Sequence, residues 1–365
     1  MFKRAIKAEL DRALKRGKSV LILGPRQVGK TTLLEEEKYD ISISLLIEKN
    51  RLKYERDPDL LIKEIEAHPK AGKGLCVFVD EVQLVPKLLN ASQYIIDKKR
   101  AQMIFTGSSA RKLRKTADLN LLPGRLVLLK MDGLSRIEHK HENIEDLLIY
   151  GELPGIMTVK LKKDRELDLE SYVLTYLEEE IRKEAATKNL PAFYRFLELA
   201  ALESGRIVSF RKIAAEVGIG HTTISAYYEV LEDSFIVSRI DPFTTSSTRK
   251  KLTKSSRYLF FDLGVRRVAA KEGAQLGKPR LGELFEQYVG LELLKLLKLR
   301  HERADLSFWR DPDGPEIDWL IKGRDILVPI EVKYREKVEK SDCRHLETFL
   351  KEYEEATHGY VICLT

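Results

Sequence analysis

Val20-Leu-Ile-Leu-Gly24-Pro-Arg-Gln-Val-Gly-Lys30-Thr-Thr-Leu-Leu34 is the stretch that decides the first part of the chain. Four consecutive apolar residues read as a strand buried on both faces, and the pattern after Lys30 opens a helix. Between them lies Gly24-x-x-x-x-Gly29-Lys30-Thr31, in the strand-to-helix setting that gives this spacing its chemical meaning. Glycines let backbone N–H groups turn inward around phosphate oxygens, a lysine reaches the outer phosphates, and a hydroxyl meets Mg²⁺. The expected contact set is Gly24, Pro25, Arg26, Gln27, Val28, Gly29, Lys30, Thr31 and Thr32, with ATP as ligand and Mg²⁺ beside Thr31.

Outward from this motif, short apolar runs recur at Ile41 to Ile47, Leu75 to Val79, Met103 to Phe105 and Leu126 to Leu129, separated by helical patterns. That alternation predicts a parallel sheet with helices on both faces, an α/β fold. The run Cys76-Val-Phe-Val-Asp80-Glu81 delivers two carboxylates at a strand end. Asp80 is expected to hold the Mg²⁺ shell and Glu81 to orient or deprotonate the attacking water. The strand ending in Thr106-Gly-Ser-Ser109 offers Ser108 as a sensor of the γ-phosphate. One strand pattern falls between the phosphate loop and Asp80, so those two strands need not be neighbours.

The whole chain has 365 residues, 43% hydrophobic and 33% charged, which predicts a globular protein of two or three domains. No apolar run reaches the roughly 20 residues that span a bilayer, and Met1 to Arg16 reads as an amphipathic helix, so a cytoplasmic location is expected. Three widely spaced cysteines give neither a disulfide framework nor a zinc site. A net charge of +7 permits contact with nucleic acid without requiring it.

After a helical stretch, Glu145 to Glu184, broken at Gly151-Glu-Leu-Pro-Gly155, three compact helices are expected at Phe193 to Glu203, Ser209 to Val217 and His221 to Asp233. Two strands, Phe235 to Ile240 and Arg257 to Phe261, flank a basic loop. This is a winged-helix pattern. Thr222, Thr223, Ser225 and Tyr227 are its candidate recognition groups, and Arg249, Lys250, Lys251, Lys254 and Arg257 its basic wing. DNA contact and packing against protein are both open to such a module. The earlier helices are expected as a lid over the nucleotide, and Glu272 to Pro279 as a linker.

The last segment reads αβββαβ: helix Leu281 to Leu299, strands Leu306 to Arg310, Glu316 to Ile321 and Ile326 to Lys333, helix Asp342 to Glu355, strand Tyr360 to Leu364. Strand alternation puts Glu331 and Lys333 on one face, and a turn at Gly323-Arg324 would set Asp318 opposite Pro329 on that same face. Buried charges need a partner, and Mg²⁺ is the expected one.

Two resemblances follow. The adjacent Asp80 and Glu81, with Phe105-Thr-Gly-Ser-Ser-Ala-Arg-Lys-Leu113, Leu122-Pro-Gly-Arg125 and Leu134-Ser135, resemble the prokaryotic AAA+ ATPases that carry a C-terminal DUF4143 domain. The resemblance spans nearly the whole chain, implies an AAA+ core at residues 1–140, a helical lid at 141–190, a winged helix at 191–270 and the terminal domain at 280–365, leaves a homo-oligomer open, and makes Arg125 a candidate charge-stabilising arginine. The terminal segment is similar to the PD-(D/E)xK nucleases. That likeness implies a metal held by Glu286, Asp318 and Glu331, with Lys333 positioning water, and hence possible cleavage of DNA. The other reading is a nucleotide-gated binding or signalling protein whose winged helix and C-terminal domain contact proteins and have no nuclease activity.

Overall fold

Strand β1 (Ser19–Leu23) is buried along its full length, as a run without polar alternation requires of a parallel strand covered on both faces. Helix α1 (Ile6–Lys15) precedes it and buries Ile6, Leu10 and Ala13. In the computed structural model, which describes residues 2–35, 37–110, 124–139, 143–181, 189–245, 253–300, 303–311 and 314–364, the chain divides into two units. The first is Met1–Glu138 with Asp233–Ile236, and the second is His139–Glu232 with Val237–Thr365.

The first unit is a five-stranded parallel sheet made of β1, β2 (Ile41–Ser44), β3 (Cys76–Asp80), β4 (Gln102–Gly107) and β5 (Leu126–Lys130), in the order β2-β3-β4-β1-β5. All four pairings are parallel. β4 stands between β1 and β3, as the separation of the two motifs allowed. The phosphate loop, Asp80 and the β4 tip all leave the carboxyl edge of the sheet, where open α/β folds place ligands. β2 is shorter than expected because Leu45, Leu46 and Ile47 turn into helix α3 (Glu48–Arg56). Helices α4 (Leu60–Glu66) and α5 (Lys87–Asp97) cover the sheet, burying Leu61, Ile65, Leu88, Leu89 and Ile95 against Val77, Val79 and Phe105.

The second unit begins with α6 (Ile144–Tyr150), α7 (Pro154–Thr158) and α8 (Lys162–Tyr172), the last continuing as wider turns to Ile181. The breaks fall at Gly151 and at Val159, and the helices expected as a lid pack within this unit, with Leu147 and Leu148 in its core. Helices α9 (Leu190–Leu202), α10 (Phe210–Val217) and α11 (His221–Asp233) follow, then the antiparallel pair β6 (Val237–Ile240) and β7 (Arg257–Phe260), then α12 (Leu263–Ala269). Asn189 and Ser209 cap α9 and α10, and Gly218 ends α10 in the left-handed conformation.

The terminal part runs α13 (Lys278–Arg300), β8 (Ala304–Arg310), β9 (Glu316–Gly323), β10 (Leu327–Lys333), α14 (Arg344–Glu352) and β11 (Tyr360–Cys363). Its sheet order is β11-β10-β9-β8, antiparallel except for β10 with β11. Two cores sandwich it: Leu284, Phe285 and Tyr288 of α13 with Trp319, Ile330 and Val332, and Leu346 and Phe349 of α14 with Trp309, Leu320 and Leu327. The first of these cores also takes in Leu147, Leu148, Ile240 and Leu259, so one apolar interior runs through all three segments of the second unit.

Of the expected linker Glu272 to Pro279, the first residue is held by side-chain contacts and Lys278 and Pro279 already belong to α13. Glu272 accepts from Arg280 at 2.7 Å and pairs with the fully buried Arg266. The β9–β10 register also departs from expectation. Gly323 N–H bonds the Ile326 carbonyl at 2.8 Å, the turn residues are Arg324 and Asp325, and Pro329 faces Leu320 instead of Asp318.

Candidate functional site

Gly24 leaves β1 where only glycine fits: a Cβ there would lie 1.9 Å from the Met131 carbonyl oxygen. The loop turns with Gln27 and Gly29 at φ +61° and +92°, and Val28 is buried beneath it. Lys30 opens α2 (Lys30–Glu35) and is itself buried, its Nζ donating to the Gly24 and Pro25 carbonyls at 2.8 and 2.7 Å. Burial pushes the Lys30 ammonium down to about 8, opposed by the charges of Glu81 and Asp80. Thr31 and Thr32 remain exposed at the helix start, and Gln27 at the loop tip.

The carboxylates stand where β3 ends. Thr31 Oγ1 donates to Asp80 Oδ1 at 3.3 Å, so a hydroxyl and a carboxylate oxygen share one point beside the phosphate loop. Burial holds Asp80 above its ordinary value, while the hydroxyl of Thr106, donating at 2.5 Å, opposes this. Glu81 adopts a left-handed backbone, φ +57°, uncommon for a residue with a Cβ and a feature that concentrates at functional sites. Its Oε2 accepts from Ser108 Oγ at 2.8 Å and from Gln83 Nε2, and Gln83 also donates to Ser108 at 3.0 Å. The donor set of Thr31 and Asp80 suits a hard cation bridging to phosphate.

Three residues outside the expected set belong to this constellation. Thr106 gives its hydroxyl proton to Asp80 and accepts the Glu81 N–H at 2.9 Å. Gln83 restrains Glu81. Arg4, just before α1, binds the Val28 carbonyl of the loop, the Asp132 carbonyl at 2.8 Å and the Glu138 carboxylate at 3.1 Å. Only Thr106 carried a signal in the sequence, as the first polar residue of its strand end. Arg125 lies elsewhere: it precedes β5, whose partner residue there is Ser19 at the start of β1, and it pairs with Asp97 at the end of α5 at 2.6 Å. The structure therefore sets it at the amino edge of the sheet, away from its own phosphate loop. Residues 111–123, part of the stretch that carried the resemblance, lie outside the described residues.

In the terminal part, Asp318 stands near enough to Glu286 and Glu331 for its charge to act on both, and each acid also has a protein partner. The β9–β10 ladder stops at Trp319–Ile330, and one step further Asp318 Oδ2 accepts the Val332 N–H at 2.8 Å. Lys333 Nζ donates to Glu331 Oε2 at 2.9 Å. The cation beside Glu286 is Arg257, the first residue of β7, donating to Glu286 Oε1 at 2.7 Å and to the Asp318 carbonyl at 3.3 Å. Its guanidinium lies over the rings of Phe308 and Trp319, 4.5 and 5.4 Å from their centroids. Among the described residues no group of three or more His, Cys, Asp or Glu side chains is placed to hold a metal ion. Arg257 is thus buried and not part of an exposed wing, while Arg249, Lys250 and Lys251 lie outside the described residues. Burial and then Asp318 push Glu286 up to about 7 and Glu331 up to about 8, and burial raises Asp318. Tyr227 is likewise buried, its ring 5.3 Å from Phe193 and 5.1 Å from Phe196, so it is not a recognition group.

Comparison with known proteins accounts for the chain from residue 16 onward. Residues 16–139 match the AAA domain family, residues 141–276 the domain of unknown function DUF8612, and residues 281–365 the domain of unknown function DUF4143. The chain thus joins an AAA domain to a C-terminal DUF4143 domain. An uncharacterized protein of Mycobacterium tuberculosis is 25% identical over 322 residues, covering 86% of this chain and 70% of that protein. One from Methanocaldococcus jannaschii is 25% identical over 350 residues, covering 80% of this chain and 72% of its own. A Walker-type ATPase of Pyrococcus abyssi aligns with a TM-score of 0.52 at 18% identity, over 74% of this chain and 96% of that one, a likeness of fold. No helix among the described residues is long and apolar enough to cross a membrane.

Proposed function

We propose that the first unit binds ATP with Mg²⁺ and hydrolyses it, and that the chain is a nucleotide-gated DNA-binding protein. The observation that carries the first part is the convergence of buried Lys30, the Thr31–Asp80 pair and Glu81 at one sheet edge. In this reading Lys30 exchanges the Gly24 and Pro25 carbonyls for the outer phosphates, and Thr31 and Asp80 hold the cation. Glu81, released from Ser108 and Gln83, orients the attacking water. Mg²⁺ supplies neutralisation of charge on the phosphates. Lys30→Ala is expected to abolish binding and turnover of ATP; turnover at the parental rate would overturn the assignment.

For the second unit, the Arg257–Glu286 pair favours binding without cleavage, because a guanidinium and an ammonium already partner the acids expected to hold a metal. DNA is the partner assigned to α10 and α11, whose exposed Thr222 and partly exposed Thr223 and Ser225 are groups suited to phosphates and base edges. Purified protein with Mg²⁺ or Mn²⁺ is expected to leave single-stranded, duplex and branched DNA intact. Cutting that disappears in Glu331→Ala would restore the nuclease reading.

A further inference from the structure

A cleft of about 390 Å³ opens in the second unit between the starts of α10 and α11 and the hairpin β6–β7. Among the described residues its lining carries four basic side chains, Arg211, His221, Arg239 and Lys254, and no acidic one. The hydroxyl residues Ser209 and Ser255 add donors, and the rings of Phe210 and Tyr258 line the same space. Phe210 and His221 are the first residues of their helices, so two helix N-termini face the same space and favour an anion there. Asp241 touches a lining cation, accepting from Arg239 Nε at 2.7 Å and from Ser256 Oγ at 2.6 Å, and the charge of Glu232 also acts on Arg239. That contact fixes the Arg239 fork in place and leaves Arg211 and Lys254 as exposed charges.

We propose that this cleft is the anchor for a backbone phosphate of duplex DNA, a site that sets where α11 lies on the duplex without reading its sequence. The proposal deepens the DNA-binding reading above and rests on it. Three features favour DNA over a small anion or another phosphorylated carrier. The cleft is open, it is bordered by the exposed start of α11, and it combines guanidinium, ammonium, hydroxyl and helix-terminus donors, the mixture that dominates protein contacts to phosphodiesters. A phosphate neutralised here releases condensed counterions, so its loss has a quantitative signature. The log–log dependence of affinity on salt should flatten by about 0.9 per lost contact, about an eightfold loss of affinity at 0.1 M salt relative to 1 M.

The test is fluorescence anisotropy of the full chain with labelled duplexes of several unrelated sequences, across a salt series, for wild type, Arg211→Gln, Lys254→Gln and the control Lys351→Gln on α14. The expected result is a slope reduced by about one in each cleft variant, with the same loss on every sequence, no change in the control, and ATP turnover unaltered as a sign of intact folding. Wild-type binding with slopes unchanged in both cleft variants would overturn the anchor while leaving DNA binding in place. No duplex binding by wild type would overturn the DNA reading itself. Cleft-dependent capture of a phosphopeptide or of anionic phospholipid vesicles, with duplex ignored, would show another carrier of the phosphate and also overturn the proposal.

Discussion

Arg257 Nη1 lies 2.7 Å from Glu286 Oε1, joining the first residue of β7 to the middle of α13 inside the second unit. Arg257 is 6% exposed and Glu286 29%, so truncating the arginine leaves a partly buried carboxyl group without its hydrogen bond, a loss of about 1 to 3 kcal/mol. Arg257→Ala is therefore expected to lower the stability of the second unit by an amount of that order, read from the downward shift of its urea midpoint. Arg257→Lys should recover little, because a compact ammonium cannot both reach Glu286 and lie flat over Phe308 and Trp319. A midpoint unchanged in Arg257→Ala would show that the pair is not what holds β7.

Glu81 and Gln83 give a prediction in the first unit. Glu81→Gln keeps shape and removes the base, so ATP affinity should persist while turnover falls about 100-fold, the lower range for general-base loss. Gln83→Ala takes away one of two donors on Glu81 Oε2 and is expected to raise basal turnover a few-fold. Single-turnover hydrolysis separates these effects from product release, and a Gln83→Ala protein slower than wild type would mean that Gln83 aligns Glu81 for attack.

Lys30 predicts a pH dependence. Its pKa in the nucleotide-free fold, about 8, is below its ordinary 10.5, so between those values the folded state binds fewer protons than the unfolded chain and stability rises with pH. Affinity for ATP runs the other way, since the ammonium is lost as pH passes about 8. Calorimetric titrations in two buffers of different ionisation enthalpy should show weakening affinity and proton uptake above that pH. Affinity that holds constant to about pH 10 would mean that Lys30 stays charged without ligand.

Arg125→Ala should leave turnover of an isolated chain unchanged, because its partner is Asp97 at the far edge of the sheet. Turnover measured over a range of protein concentrations is the check. A loss that grows with concentration would place Arg125 in the nucleotide site of a second copy.

The parts of this molecule legible in the sequence are those fixed by neighbours along the chain. Val20 to Thr31 and Cys76 to Glu81 announce themselves because the apolar strand and the chemistry at its end are contiguous. Arg257 did not, because it follows a basic stretch and looks like one more surface cation. What buries it are Phe308, Trp319 and Glu286, distant in sequence. Tyr227 was misplaced for the same reason, its surroundings being Phe193 and Phe196 on another helix. The β9–β10 register was displaced by two because the turn residues are Arg324 and Asp325; an even shift preserves the face, so Asp318 and Glu331 still meet. Gln83 and Arg4 are ordinary polar residues until the fold brings Glu81 and Val28 to them.

Thr106 belongs to neither β1 nor β3, yet its hydroxyl donates to Asp80 and accepts from the Glu81 amide. The Asp80 carboxylate and the Glu81 main chain are thereby gauged from a single point on the intervening strand. A displacement of the β4 tip by a fraction of an ångström therefore arrives at the Asp80 side chain and at the Glu81 backbone together, while the Glu81 carboxylate is held separately by Ser108 and Gln83.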